Sequence, residues 1–60
     1  MVTKEYAMKH RDCYEPDMSI EDYVEFFRDC QRSAPEDQEF AALSEEDLRE
    51  LASLVIEINN

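Results

Sequence analysis

The chain has 60 residues, of which 16 are acidic and 6 are basic, so its formal net charge at pH 7 is −10. This length allows one small domain with a single core, and an apolar fraction of 43% is too high for a disordered tail. So negative a chain repels nucleic acid and anionic membranes and attracts basic protein surfaces. We therefore expect no direct nucleic-acid binding, no membrane association and a protein partner with a basic surface.

The chain carries no signs of export or membrane insertion. Its N-terminus lacks the apolar run of a signal peptide, and no stretch approaches the roughly 20 apolar residues of a membrane span. Two cysteines are too few for a secreted disulfide scaffold. We expect a cytoplasmic protein.

Glycine is absent, which removes the tight glycine-containing hairpins and the glycine-rich phosphate loops. No segment alternates between apolar and polar residues over a strand length. We predict an all-α fold in which residues 1–60 form a single domain, a small three- to four-helix bundle.

The N-terminal segment, residues 1–16, is the least regular part of the chain. Residues 1–14 carry a charge of +1, whereas the rest of the chain carries −11. Tyr6, Met8 and Tyr14 predict a short helix within residues 4–14.

The second helix begins after Ser19, which we predict to be its N-cap. Acids follow in the first turn, and Met18 is placed to pack against Tyr23 as a hydrophobic staple. The apolar residues then recur at helical spacing, which predicts that they face the core. This set is Ile20, Tyr23, Val24, Phe27 and Cys30, with Phe26 on the flank. We expect the helix to end near Arg32.

Two further helices complete the predicted bundle. Pro35 followed by acids is typical of a first helical turn and predicts a short helix that presents Phe40 and Leu43. Ser44 repeats the capping pattern of the second helix, with Leu43 stapled to Leu48. The last helix buries an apolar stripe, which consists of Leu48, Leu51, Ala52, Val55 and Ile58.

The apolar stripe of the last helix is wider than one core face requires. At 100° per residue, Leu54 and Ile56 flank the stripe on opposite sides. Either another chain covers this excess, in a homodimer or in a partner's groove, or the N-terminal segment folds over it.

The residues that could carry chemistry form no complete set. His10, Cys13 and Cys30 are three potential zinc ligands, whereas a structural zinc site usually takes four. A cysteine nucleophile with a histidine base would lack an oxyanion hole and a chain large enough to wall a cleft. We expect no cofactor, no metal and no enzymatic activity.

The carboxylates are the strongest candidates for functional residues. They follow helical spacing on two helices and crowd the short helix between them, where rigid rows of negative charge could imitate the phosphates of a duplex. The opposing explanation is a solvated face that serves solubility alone. The candidate acids are Glu21, Glu25, Asp29, Glu36, Asp37, Glu39, Glu46 and Glu50. Arg28, Arg32 and Arg49 can offset only part of this charge.

From Asp22 to Leu48 the chain resembles the short acidic phage proteins of the anti-CRISPR class, which block type I surveillance complexes. The resemblance comprises Asp22-Tyr23 leading a helix, then a polar corner, then residues 39–44 (EFAALS) followed by acids. It implies a phage-encoded protein that binds a CRISPR surveillance complex in a bacterial host cell through DNA-like acids. It assigns no role to an individual residue.

Two hypotheses follow. In the first, the protein is an inhibitor that docks its acids on a basic nucleic-acid-binding surface. In the second, it is an adaptor or regulatory subunit that places an apolar helix face, with Phe26, Leu54 and Ile56 as anchors, in a partner's groove. A homodimer is compatible with both.

Overall fold

The computed structural model describes all 60 residues and contains four α-helices, one 3-10 helix and no strand. The helices are α1 (Lys4–Met8), the 3-10 helix (Arg11–Cys13), α2 (Ile20–Ser33), α3 (Gln38–Ala41) and α4 (Glu45–Ile58). The predicted all-α fold with three to four helices is confirmed. None of these helices combines the length and the apolar character that a bilayer crossing requires.

The two long helices begin with the same hydrogen-bonded cap. The Ser19 hydroxyl accepts from the backbone N–H of Asp22 at 3.2 Å, and the Asp22 carboxylate accepts from the N–H of Ser19 at 3.4 Å. Ser44 and Asp47 form the equivalent pair in α4, with both distances at 3.2 Å. Each capping box satisfies two backbone donors that a helix end would otherwise leave unpaired. Both predicted serine caps are confirmed.

The predicted start of the short helix at Pro35 is wrong. The backbone N–H of Asp37 donates to the carbonyl of Ala34 at 3.1 Å, so residues 34–37 form a turn with Pro35 at its second position. The fixed φ of proline suits that position of a turn as well as it suits a first helical turn. The helix begins at Gln38, and the carboxylate of Asp37 caps it by accepting from the N–H of Phe40 at 3.2 Å.

The N-terminal segment contains two short helical pieces where the sequence predicted one helix. Thr3 caps α1 by accepting from the N–H of Tyr6, and the helix ends at Met8. His10 then leaves helical geometry, with φ −112° and ψ 12°, before the 3-10 helix begins. Before this break the segment buries Val2 and Ala7.

The core lies between α2 and α4, which run in opposite directions. Glu21 near the start of α2 meets Arg49 in the second turn of α4, whereas Arg28 further along α2 meets Glu45 at the start of α4. The ten buried residues are Val2, Ala7, Tyr23, Val24, Phe27, Phe40, Leu48, Leu51, Ala52 and Val55. Ile20, Cys30 and Ile58, predicted to be buried, are only partly covered at the edges of this cluster.

The N-terminal segment packs along α4 and covers part of its wide apolar stripe. The backbone N–H of Val2 donates to Glu50 at 2.8 Å, and the side-chain amide of Asn59 donates to the carbonyl of Arg11 at 3.2 Å. Leu54 and Ile56 are partly buried and pack against the core. In the single chain, the N-terminal segment thus covers part of the stripe, which was one of the two explanations for its width.

A tyrosine hydroxyl ties the connection before α2 to the core. Tyr23 is fully buried, and its hydroxyl accepts from the N–H of Glu15 at 2.7 Å and donates to the carbonyl of the same residue at 3.0 Å. One side chain therefore satisfies both backbone groups of Glu15. This contact fixes where the N-terminal segment joins α2.

We expect Ser44→Ala to lower the free energy of unfolding by about 1 kcal/mol, because the substitution removes the cap from α4. Urea denaturation followed by circular dichroism measures this change. Ser53→Ala is the matched control, since Ser53 is exposed within α4 and alanine is the better helix former there. An equal loss of stability in both variants would contradict the role of the cap.

We expect Tyr23→Phe to cost about 1–3 kcal/mol, because it removes the hydroxyl partner of a backbone N–H and a carbonyl that are partly buried. The same urea measurement gives the loss, and amide exchange of Glu15 locates it. Tyr14→Phe is the control, because the Tyr14 hydroxyl has no hydrogen bond to lose. Unchanged exchange at Glu15 would show that the hydroxyl does not hold the connection.

Candidate functional site: the exposed carboxylates

All eight acids predicted from the sequence are exposed. They differ in what neutralises them. Four of the sixteen carboxylates in the chain have a cationic partner, and these belong to Glu21, Asp29, Glu45 and Asp47. The other twelve acids have none, so most of the negative charge faces solvent without a neighbouring cation.

The contact between α2 and α4 is bordered by a network of alternating charges. Arg28 donates to Glu45 at 2.6 Å, and Arg49 reaches Glu45 at 3.7 Å and Glu21 at 3.4 Å. Glu21 is therefore engaged with α4, so it does not form an unpaired row with Glu25 and Asp29 as the helical spacing predicted. Sequence reasoning also missed Glu45, because its two arginine partners lie 17 and 4 residues away and only the second distance is a helical spacing.

Two other predicted acids have structural contacts. Asp29 pairs with Arg32 at 3.3 Å within α2, and both side chains are largely exposed. Glu50 accepts from the backbone N–H of Val2 at 2.8 Å, so it helps to hold the N-terminal segment on α4. An exposed ion pair contributes little to stability, so Asp29 remains open to exchange with a partner's cation.

Besides Glu50, five of the predicted acids have no cationic partner. These are Glu25 on α2, Glu46 on α4, and Glu36, Asp37 and Glu39 beside and within α3. We call the last three the α3 acidic cluster. The structure thus brings together three of the predicted residues in one short stretch and leaves Glu25 and Glu46 on separate helices.

The position of the α3 acidic cluster is set by a glutamine of α2. The side-chain amide of Gln31 donates to the carbonyl of Phe40 at 2.9 Å and to the carbonyl of Leu43 at 3.0 Å. Phe40 is buried and packs edge-on against Phe27, with ring centroids 6.0 Å apart. These contacts attach the end of α3 to α2, so Glu39 lies on an anchored helix that Asp37 caps. The sequence offered no signal for Gln31 beyond its position on the inner side of α2.

The α3 acidic cluster lies close to an aromatic stack from the N-terminal segment. The ring of His10 lies between Tyr6, at 4.9 Å, and Phe40, at 5.4 Å between centroids. Burial lowers the pKa of His10 below its usual 6.5, against the opposing effect of Asp37. Burial raises the pKa of Tyr6, and the charges of Glu39 and Asp37 raise it further. The net effect keeps the histidine neutral at neutral pH.

The two cysteines are partly covered by the core and are not in a disulfide. Burial raises the pKa of both thiols, and Cys30 and Asp12 raise that of Cys13 further. A raised pKa keeps a thiol protonated, which is its less nucleophilic form. No three His, Cys, Asp or Glu side chains are grouped so that they could hold a metal ion.

The three predicted apolar anchors do not share one surface. Phe26 is 41% exposed on α2, whereas Leu54 and Ile56 are partly buried. Leu54 lies two turns beyond Asp47, on the side that meets the N-terminus of the chain, and Ile56 lies two turns beyond Arg49, on the side that meets α2. Phe26 is the one anchor that is available as it was predicted.

Comparison of the chain with models of protein families, with curated proteins and with solved structures found no match in any of the three.

We expect the stability of the protein to respond to His10 below pH 6.5. A histidine whose folded-state pKa is lowered contributes its full stability above its unfolded pKa, and this contribution is lost as the pH falls from about 6.5 toward the folded value. The free energy of unfolding of the protein should therefore fall relative to that of a His10→Phe variant between pH 7.5 and pH 5. Urea denaturation of both proteins at pH 7.5 and at pH 5 measures this change. The effects of the other titrating groups cancel, because they are present in both proteins.

Titration of His10 by NMR should give a pKa below 6.5. A constant difference in stability between the two proteins would show that Asp37 and Glu39 offset the burial of the ring, and a pKa above 6.5 would show that they outweigh it.

Proposed function

We propose that this protein is a non-enzymatic, phage-encoded inhibitor that docks its carboxylates on a basic nucleic-acid-binding surface of a bacterial defence complex. The observation that carries the proposal is the exposure, without cationic partners, of five predicted acids: Glu25, Glu36, Asp37, Glu39 and Glu46. Unpaired carboxylates repel one another in the free protein and gain most when a partner supplies the missing cations.

The rigidity of the scaffold supports a specific role for these charges. Two capping boxes fix the starts of α2 and α4, and Gln31 fixes α3 to α2. Charges that are held in place before binding lose little conformational entropy when a partner engages them.

The resemblance of residues 22–48 to anti-CRISPR proteins supports the choice of partner, a type I CRISPR surveillance complex. In such a complex the protein would occupy a surface where DNA binds, and its acids would take the place of phosphates. The inhibitor would act in the cytoplasm of the bacterial host cell. It would need no cofactor and no contact with nucleic acid or membrane.

The adaptor hypothesis has less support, because Leu54 and Ile56 pack against the core of their own chain. A homodimer stays a prediction, which sedimentation of the purified protein tests.

We expect neutralisation of the α3 acidic cluster to weaken inhibition. The variant carries Glu36→Gln, Asp37→Asn and Glu39→Gln, with asparagine at position 37 because the side chain there caps α3. Association with a guide-loaded type I surveillance complex should slow by roughly tenfold at low salt, because charge complementarity acts mainly on encounter. The measurement is the loss of binding of labelled target DNA, at about 50 mM and about 300 mM salt.

The control variant removes the same charge from the N-terminal side of the molecule through Glu5→Gln, Glu15→Gln and Asp17→Asn. All three residues are exposed and have no cationic partner. The control should inhibit nearly as well as the parent protein. Equal effects of the two variants, or inhibition that does not change with salt, would contradict the proposal.

A further inference from the structure

Four residues share the solvent side of α2 at intervals of three and four residues. They are Asp22, Glu25, Phe26 and Asp29, which we call the α2 outer face. At 100° per residue they fall within an arc of about 100°, opposite the buried residues Tyr23 and Phe27. All four are exposed.

The α2 outer face contains the most accessible aromatic ring of the protein. Phe26 is 41% exposed, whereas the other five aromatic residues are buried or partly buried. Its ring lies 5.7 Å from that of Phe27, between centroids, so the core supports it from below. A single exposed apolar side chain is common on protein surfaces. The meaning of Phe26 therefore depends on its neighbours.

Those neighbours are carboxylates that lack strong internal partners. Glu25 has no cationic partner, and Asp22 accepts only the backbone N–H of Ser19, at 3.4 Å. Asp29 pairs with Arg32 at 3.3 Å in an exposed contact, which a competing cation can replace at little cost. Arg28 points away from this face, because it is bound to Glu45. The ring is thus flanked by negative charge along the helix axis.

The spacing of these charges can be compared with the phosphate spacing of a duplex and of a single strand. With a rise of about 1.5 Å per residue, Asp22, Glu25 and Asp29 are separated by about 4.5 and 6 Å along the axis. A duplex carries one charge per about 1.7 Å of axis, and one strand of it carries one per about 3.4 Å. The α2 outer face therefore has a charge density below that of a duplex and nearer to that of one strand. A duplex also hides its bases in the stack, whereas here the ring is accessible.

A site for single-stranded nucleic acid has the complementary features. It combines a cationic groove that follows the backbone with flat aromatic side chains on which bases stack. The carboxylates of the α2 outer face match the cations of such a groove, and the ring of Phe26 matches an aromatic platform.

We propose that the α2 outer face binds a single-strand-binding surface of the partner, with Phe26 stacked where a base would lie. The inference rests on the proposed function, because it specifies which basic surface the inhibitor occupies. The carboxylates guide the encounter, and the ring supplies the contact that a uniformly acidic helix would lack.

Competition against a defined probe tests this inference. The probe is a bacterial OB-fold single-strand-binding protein that holds a fluorescent oligothymidylate, and anisotropy reports the release of the oligonucleotide. The protein should displace it, and Phe26→Ala should displace it roughly tenfold less well, since loss of a stacked ring has effects of this order. Phe26→Tyr, which keeps a stacking ring, should act within about twofold of the parent protein.

Met8→Ala is the matched control, because Met8 is 42% exposed on the N-terminal segment and its loss removes a similar apolar surface elsewhere. It should leave displacement unchanged. Circular dichroism of each variant confirms that it is folded. Failure of the parent protein to displace the oligonucleotide, or equal displacement by Phe26→Ala, would overturn the inference.

A second probe separates this inference from the proposed function. A basic helix-turn-helix protein bound to a labelled duplex should be a poorer target. Stronger displacement from the duplex-binding probe, without dependence on Phe26, would overturn the single-strand assignment and leave the inhibitor proposal intact. If the parent protein does not inhibit the surveillance complex, the result instead counts against the proposed function itself.

Discussion

The buried contact between α2 and α4 is the constraint on which the rest of the molecule depends. Tyr23, Phe27 and Leu51 lie at its centre and are almost completely buried. The other elements contact this pair. Gln31 of α2 binds α3, and Val2 binds the N-terminal segment to α4. In a chain of 60 residues a single core supplies only a few kcal/mol of net stability. Small losses at this contact therefore affect the whole fold.

The distribution of charge follows from the same contact. The arginines that could neutralise the outer acids are used at its border, where Arg28 and Arg49 bind Glu45 and Glu21. This arrangement strengthens the approach of two acidic helices and leaves Arg32, which pairs with Asp29, as the only other cation on either helix. The strongly negative surface is therefore a consequence of where the few cations lie, as well as of how many acids the chain has. Repulsion within that surface opposes folding, and a basic partner relieves it.

Local patterns in the sequence predicted most of the fold. The serine caps, the length of α2 and the buried stripe of α4 depend on residues a few positions apart, and they are confirmed except at Ile58, which is only partly covered. The turn at Pro35 was misread because proline favours a turn and a first helical turn alike. The candidate site was only partly predictable. Exposure of the acids follows from their helical spacing, but the pairing of Glu21 and the anchoring by Gln31 join different elements, and no short-range pattern encodes such contacts.

The two hydrogen bonds of Gln31 have a further consequence for recognition. They tie α3, which carries Glu39 of the α3 acidic cluster, directly to α2, the helix that carries Phe26. A partner that contacted both the α3 acidic cluster and Phe26 would form the second contact at a high effective concentration once the first had formed. Weak contacts at the two places would then multiply into one strong attachment. A chain with a loose link between the two helices would gain much less from having both.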